Sequence, residues 1–166
     1  MQLPPSIIYI IGVSGCGKST IAKALADTIH FPYFDGDDYH PAENIAKMQA
    51  GNPLNDTDRK GWLSSLQTLA KKHETTGAVI ACSALKETYR LQLAHDINSI
   101  HWIHLDGSFE EIKNRMQNRK NHFMPSALLQ SQFDTLEKPT NAIVISVQLS
   151  VDESVSKIIK HLSQTV

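Results

Sequence analysis

Cysteine is scarce in this chain: Cys16 and Cys82 are the two in 166 residues, and they have neither metal-site nor disulfide-framework spacing. Their scarcity argues against a zinc-stapled or cystine-rich module and predicts a reduced, cytoplasmic setting. Long apolar runs are missing too. No stretch reaches the roughly eighteen consecutive apolar residues of a membrane span, and no basic segment followed by a long apolar one opens the chain. We therefore expect a soluble, unexported protein without a membrane partner. Charge of one sign is also lacking. Sixteen Lys and Arg stand against seventeen Asp and Glu, so there is no field to gather nucleic acid, and small-molecule partners are favoured. There is no internal repeat or low-complexity tract, and the eight histidines are scattered without paired metal spacing. The length suits one domain, 1–166, which buries about 70% of its unfolded surface.

Against this background the stretch Gly12 to Thr20, GVSGCGKST, stands out. It follows the apolar run Ser6 to Ile11 and precedes Ile21, Ala22, Leu25, Ala26 and Ile29 at helical spacing, so it reads strand, glycine loop, helix. The stretch matches G-x-x-x-x-G-K-(S/T), which a random chain of this length would contain about once in a few hundred. In such a loop, backbone N–H groups converge on phosphate oxygens and the following helix turns its positive end to the same anion. Gly12, Gly15 and Gly17 supply the flexible backbone. Lys18 reaches the β- and γ-phosphates, and the Ser19 hydroxyl ligates a bridging Mg²⁺. With Ser14, Cys16 and Thr20 these residues form the expected nucleotide-binding set.

Four further apolar runs predict strands: Tyr33 to Asp35, Ala78 to Cys82, Ile100 to Leu105 and Ala142 to Val147. Helical stripes separate them, among them Trp62, Leu63, Leu66, Leu69 and Ala70, and later Val151, Val155, Ile158, Ile159 and Leu162. Ser108 with Glu111, and Ser150 with Glu153, are capping boxes at helix starts. Alternation at this spacing predicts a parallel sheet with helices on both faces and ligands at the carboxyl ends of its strands.

The second strand ends in Asp35-Gly36-Asp37-Asp38-Tyr39-His40-Pro41, which brings carboxylates to the edge where the phosphate loop lies. Phosphoryl transfer requires a held Mg²⁺ and an oriented acceptor hydroxyl. Asp35 suits the hydrated metal and Asp37 the hydroxyl, while Asp38 reads better as part of an acidic turn. His40 reads as a polar wall or cap. Downstream, Arg59 can hold an acceptor carboxylate in bidentate fashion; a salt bridge to Asp56 or Asp58 at a helix start is the alternative. Lys47 and Met48 read as surface and packing. The third strand has no carboxylate at its end, so a conventional Walker-B acid is missing there, which weakens motor and helicase readings. Ser83 and Lys86 can face the acceptor or merely start a helix. Arg115, Arg119, Lys120 and His122 precede a short helix with Leu128, Leu129 and Phe133. That segment, about 115–137, suits a lid, with Arg119 neutralising the transferring group and Arg115 against the nucleotide; a solvated basic helix end is the other reading.

These stretches, GVSGCGKST, DGDDYHP, NIAKMQAGNPLNDTDRKGWL, ACSALKETYR and RKNHFMPSALLQSQFDTLEKP, resemble in this order the gluconate kinases, small P-loop enzymes related to shikimate and nucleoside monophosphate kinases. The resemblance covers nearly the whole chain. It implies a three-layer α/β/α fold with a five-stranded parallel sheet and a helical lid, ATP and Mg²⁺ as cofactors, and transfer of phosphate to D-gluconate. It also implies an acceptor pocket of Asp37, His40, Arg59 and Lys86 with Arg119 from the lid, and often a homodimer. Two positions depart from the family pattern: Cys16, where Ser is more frequent, and Asn121 before His122, where Gly is common. The competing expectations are a kinase for another small hydroxy acid such as shikimate, and a nucleotide-sensing binding module.

Overall fold

In the computed structural model, which describes residues 2–118 and 126–165, the apolar runs become five strands: β1 (Ile7–Ile11), β2 (Tyr33–Asp35), β3 (Ala78–Ala81), β4 (Ile100–Asp106) and β5 (Ile143–Ser146). Every pairing is parallel, in the order β2-β3-β1-β4-β5. The central strand β1, IIYII, is buried at every residue, which a period-2 strand achieves only when both sheet faces are covered. Seven helices accompany the sheet among the described residues: α1 (Lys18–Ile29), α2 (Ala42–Gln49), α3 (Asp56–Lys72), α4 (Glu87–Ala94), α5 (Phe109–Gln117), α6 (Ser126–Thr135) and α7 (Val151–Gln164).

Helices α1 and α7 pack on one another and on the sheet, while α3 and α4 form a separate pair. Tyr9 ties the second pair to the sheet: its ring stacks on Trp102 with centroids 4.7 Å apart, and its hydroxyl donates to the Leu93 carbonyl at 3.4 Å. Trp62, Leu63, Leu66 and Ala70 are the buried face of α3, the stripe read from the sequence.

Capping chemistry sets the helix starts. α3, α5 and α7 each open with a complete capping box, Asn55 with Asp58, Ser108 with Glu111 and Ser150 with Glu153. α1 differs: it follows Gly17 in the left-handed region, with no side-chain cap and no acid in its first turn. Its first N–H groups and positive dipole end are thus left for an anion. No helix among the described residues is long and apolar enough to cross a membrane.

Candidate active site

Tight backbone geometry shapes the phosphate loop between β1 and α1. Gly15 has φ of +78°, and a Cβ there would lie 2.5 Å from the Met116 side chain on α5, so only glycine lets the loop turn against that helix. Gly12 donates its N–H to the Ser83 carbonyl at 3.3 Å, joining the loop to the segment that follows β3. The Lys18 ammonium folds back onto the Val13 carbonyl at 2.9 Å. The positions named for nucleotide binding, Gly12, Ser14, Gly15, Cys16, Gly17, Lys18, Ser19 and Thr20, therefore form one continuous turn into α1.

Asp35 ends β2 beside this loop. Its Oδ2 accepts from the Ser19 hydroxyl at 3.3 Å, and its Oδ1 accepts from the Asp37 N–H at 3.0 Å, which caps the 3₁₀ turn Gly36–Tyr39. The metal pair named from the sequence, Ser19 and Asp35, is thus in contact. A hydroxyl beside a single carboxylate suits a Mg²⁺ that keeps water and phosphate ligands. It does not suit an all-protein cage, and no group of three or more His, Cys, Asp or Glu placed to hold a metal ion occurs among the described residues. The buried Cys82 thiol lies within the field of Lys18, Asp37 and Asp35; burial first, with the two carboxylates adding to it, pushes the thiol up to about 12. Lys18 and both acids are therefore near enough to the carboxyl end of β3, where an α/β sheet places its ligands, to act on the thiol there.

The 3₁₀ turn is held from α3. Gly36 runs so close to β3 that a Cβ would meet the Ala81 carbonyl at 2.4 Å, and Trp62 Nε1 donates to the Gly36 carbonyl at 2.7 Å. His40 stacks on the Trp62 ring, centroids 4.1 Å apart. Asn44, buried on α2, donates its amide N–H to the Asp58 carbonyl at 2.8 Å and meets His40 Nδ1 at 3.3 Å. An amide nitrogen only donates, so Nδ1 accepts and the neutral ring carries its hydrogen on Nε2. Burial, and then the Arg59 charge, lower the His40 pKa to about 4.

The residues named for the acceptor from the sequence, Arg59 and Lys86, meet in a compact polar cluster. Arg59 Nη1 donates to the Tyr89 hydroxyl at 2.9 Å, the Tyr89 hydroxyl donates to Asp56 Oδ1, and Lys86 Nζ lies 3.4 Å from the same oxygen. The guanidinium and the ammonium also flank the Tyr89 ring, 5.2 Å and 5.7 Å from its centroid. Burial, then the Asp56 bond, raise the Tyr89 pKa, which keeps the phenol a donor. The Tyr89 bond is in turn the main influence holding the Asp56 carboxyl below its usual range. The ion pair considered for Arg59 is absent from this arrangement: Asp58 pairs with Lys47 at 2.7 Å, so Lys47, read as a surface residue, has a structural partner. Beneath the cluster the buried Arg90 guanidinium donates to the Ala84 carbonyl at 2.7 Å and the Glu137 carbonyl at 2.9 Å, fixing the turn after β3.

Arg115 on α5 donates to the Val147 carbonyl at 2.7 Å and lines a cavity of about 80 Å³ with Cys16, Thr20, Leu105, Val147 and Leu149. The hollow lies beside the phosphate loop, and it puts Arg115 next to Cys16 and Thr20 of that loop. Arg119 lies outside the described residues. Sequence reasoning missed Tyr89 and Asp56 as members of the acceptor cluster, Asn44 as the partner of His40, and Gln132, whose amide on α6 meets Ser14 of the phosphate loop. None of these has a local signature, since each acts through a tertiary contact.

A phosphate loop at the switch of a five-stranded parallel sheet, with a polar acceptor cluster on the same edge, defines a P-loop kinase of small molecules. The shikimate kinase family model matches residues 14–163. The gluconokinase of Gluconobacter oxydans is 40% identical, over 97% of this chain and 93% of that protein. The thermosensitive gluconokinase of Escherichia coli is 42% identical, over 95% of this chain and 85% of its own. A gluconokinase from Sinorhizobium meliloti superposes with a TM-score of 0.88 at 36% identity, covering 99% of this chain and 95% of that one. The chain belongs to the gluconokinases, within the wider shikimate kinase family.

Proposed function

We infer that this protein transfers the γ-phosphoryl group of ATP to the terminal hydroxyl of D-gluconate, giving 6-phospho-D-gluconate and ADP. One observation carries the reading: the sheet edge that bears the phosphate loop also bears Arg59, Lys86 and Tyr89, donors suited to a carboxylate, in a chain 40% identical to a gluconokinase over nearly its whole length. A nucleoside monophosphate would ask for phosphate ligands and a base pocket on that side.

The chemistry follows from the residues. The N–H groups of Gly12 to Ser19 and the α1 dipole hold the phosphate tail, and Lys18 offsets charge as it develops. Ser19 and Asp35 would hold Mg²⁺, which supplies neutralisation of the β- and γ-oxygens when bound. Asp37 orients the acceptor hydroxyl and takes its proton as the new O–P bond forms and the bond to the bridging β,γ-oxygen breaks. His40 offers its Nε2–H to a substrate oxygen. Arg59 and Lys86 fix the carboxylate, which sets the far end of the open chain and so the hydroxyl that reaches the phosphorus. Arg115 borders the nucleotide. Arg119, in a lid spanning about 115–137 of this single domain, offsets charge on the transferring group. A cytoplasmic setting agrees with two free, buried cysteines, and a homodimer completes the reading.

A coupled ADP assay across gluconate, shikimate and nucleoside monophosphates, with the phosphorylated product identified by mass, tests it. Turnover confined to gluconate is expected. Product from shikimate would transfer the reading to that acid, and ADP release without any phosphorylated acceptor would reject a kinase role.

A further inference from the structure

Asp56 stands apart from Asp58, the other acid at the start of α3. Asp58 serves the capping box and the Lys47 ion pair, so the helix start is complete without Asp56. The Asp56 side chain is 69% exposed, whereas Tyr89, which donates to it, is 4% exposed. An exposed, dispensable carboxylate thus caps a donor set whose central member is rooted in the core. The geometry around it is that of anion recognition: phenol and ammonium converge on Oδ1, and the Arg59 guanidinium backs the phenol at 2.9 Å.

We propose that Asp56 is a built-in stand-in for the acceptor's carboxylate: in the free protein it occupies the position on Tyr89 and Lys86 that the carboxylate of an incoming sugar acid takes over. The proposal rests on the acceptor reading given above and adds two things to it. Tyr89 becomes a ligand of the substrate carboxylate, alongside Arg59 and Lys86. Asp56 becomes an internal competitor that sets an affinity threshold, which a carboxylate can meet on these donors. A neutral polyol has hydroxyls to offer but nothing that matches the carboxylate it would displace, so it is rejected by a competitor inside the chain rather than by a clash. The exposure of Asp56 lets the displaced side chain turn into water, where its charge is solvated at little cost.

Calorimetric titration without ATP tests this independently of turnover. The ligands are gluconate and glucitol, the latter with the same carbon chain and no carboxylate. Asp56→Asn keeps the shape and removes the charge, and Asp56→Ser provides a second, shorter neutral variant that leaves the Asn55 cap in place. Both variants are expected to bind gluconate about three- to tenfold more tightly than the unaltered protein, and glucitol, freed of the same competitor, gains by no more than that factor. Tyr89→Phe is expected to weaken gluconate binding, and combined with Asp56→Asn to remove most of the gain. Unchanged or weaker gluconate binding in both Asp56 variants would overturn the proposal, since Asp56 would then be aligning Tyr89 rather than standing in for the ligand. Failure of the acceptor reading has a different signature: the unaltered protein would bind gluconate yet form no phosphorylated sugar, or would not bind it.

Discussion

Gln132 and Ser14, 118 residues apart, exchange two hydrogen bonds: the Ser14 N–H donates to Gln132 Oε1 at 2.7 Å, and Gln132 Nε2 donates to the Ser14 hydroxyl at 3.0 Å. A side-chain carbonyl on α6 therefore engages an N–H of the loop that receives phosphate. Gln132→Glu would set a full negative charge against that loop, where the incoming triphosphate is itself anionic. We expect the KM for ATP to rise at least about tenfold in this variant and distinctly less in Gln132→Ala, with a smaller change in the KM for gluconate. Equal effects of the two substitutions would show that the bonds, not the charge, matter.

Lys18 is the cation of the loop, and its ammonium rests on the Val13 carbonyl, a contact the fold can lose without a cavity. Lys18→Ala should lower kcat about a hundred- to a thousandfold while leaving the circular dichroism spectrum and melting temperature close to those of the unaltered protein. Near-normal turnover in a folded variant would remove the loop from the reaction.

Arg59 tests the acceptor side. Its guanidinium donates to Tyr89 and is the planar cation nearest the proposed carboxylate position. Arg59→Ala should raise the KM for gluconate at least about tenfold, the equivalent of one charge-assisted hydrogen bond, with little change for ATP, which has no carboxylate. Arg59→Lys should recover only part of the loss, because an ammonium lacks the bidentate fork. A matching rise for both substrates would take Arg59 out of the pocket.

His40 carries a pH signature. Its folded pKa is about 4 against an ordinary 6.5, through burial first and the Arg59 charge second. Between those values the unfolded chain binds a proton that the folded chain refuses, so the His40 contribution is fully present above about pH 6.5 and is lost as pH falls toward 4. The ring should stay neutral at pH 5.5 by nuclear magnetic resonance. His40→Gln should flatten the acid side of the stability curve in that window. A ring titrating near 6.5 in the folded protein would contradict the Trp62 stack and the Asn44 bond as described.

The fold was legible where physics is local. Ser6 to Ile11 and Ala78 to Cys82 are apolar at every position or nearly so, which only a doubly covered strand explains, and the Ser108 and Ser150 helix starts follow from one side chain meeting an N–H three residues on; the Asn55 box at α3 was not read from the sequence. The loop from Gly12 to Thr20 was equally plain. Other features depend on distant partners. The order β2-β3-β1-β4-β5 is set by crossovers between non-consecutive strands, which no local period encodes. Helix α2, Ala42–Gln49, lies in a stretch whose polar residues and later Gly and Pro mask its pattern. Lys47 looked like a solvated lysine because Asp58, its partner, is eleven residues away. Tyr89 and Asp56 lay inside motifs already singled out, but only α3 and α4 packing together makes them one cluster.

The bond from Gly12 to the Ser83 carbonyl has a consequence for how such a chain can diversify. It pins the phosphate loop to the start of the segment that carries Lys86 and Tyr89, so under the proposed function the reach between donor and recipient is built into neighbouring strands. Exchanging side chains at positions such as 56, 59 and 89 can then alter which molecule is accepted without resetting that reach. A lineage carrying this scaffold is free to change its customer while keeping its engine.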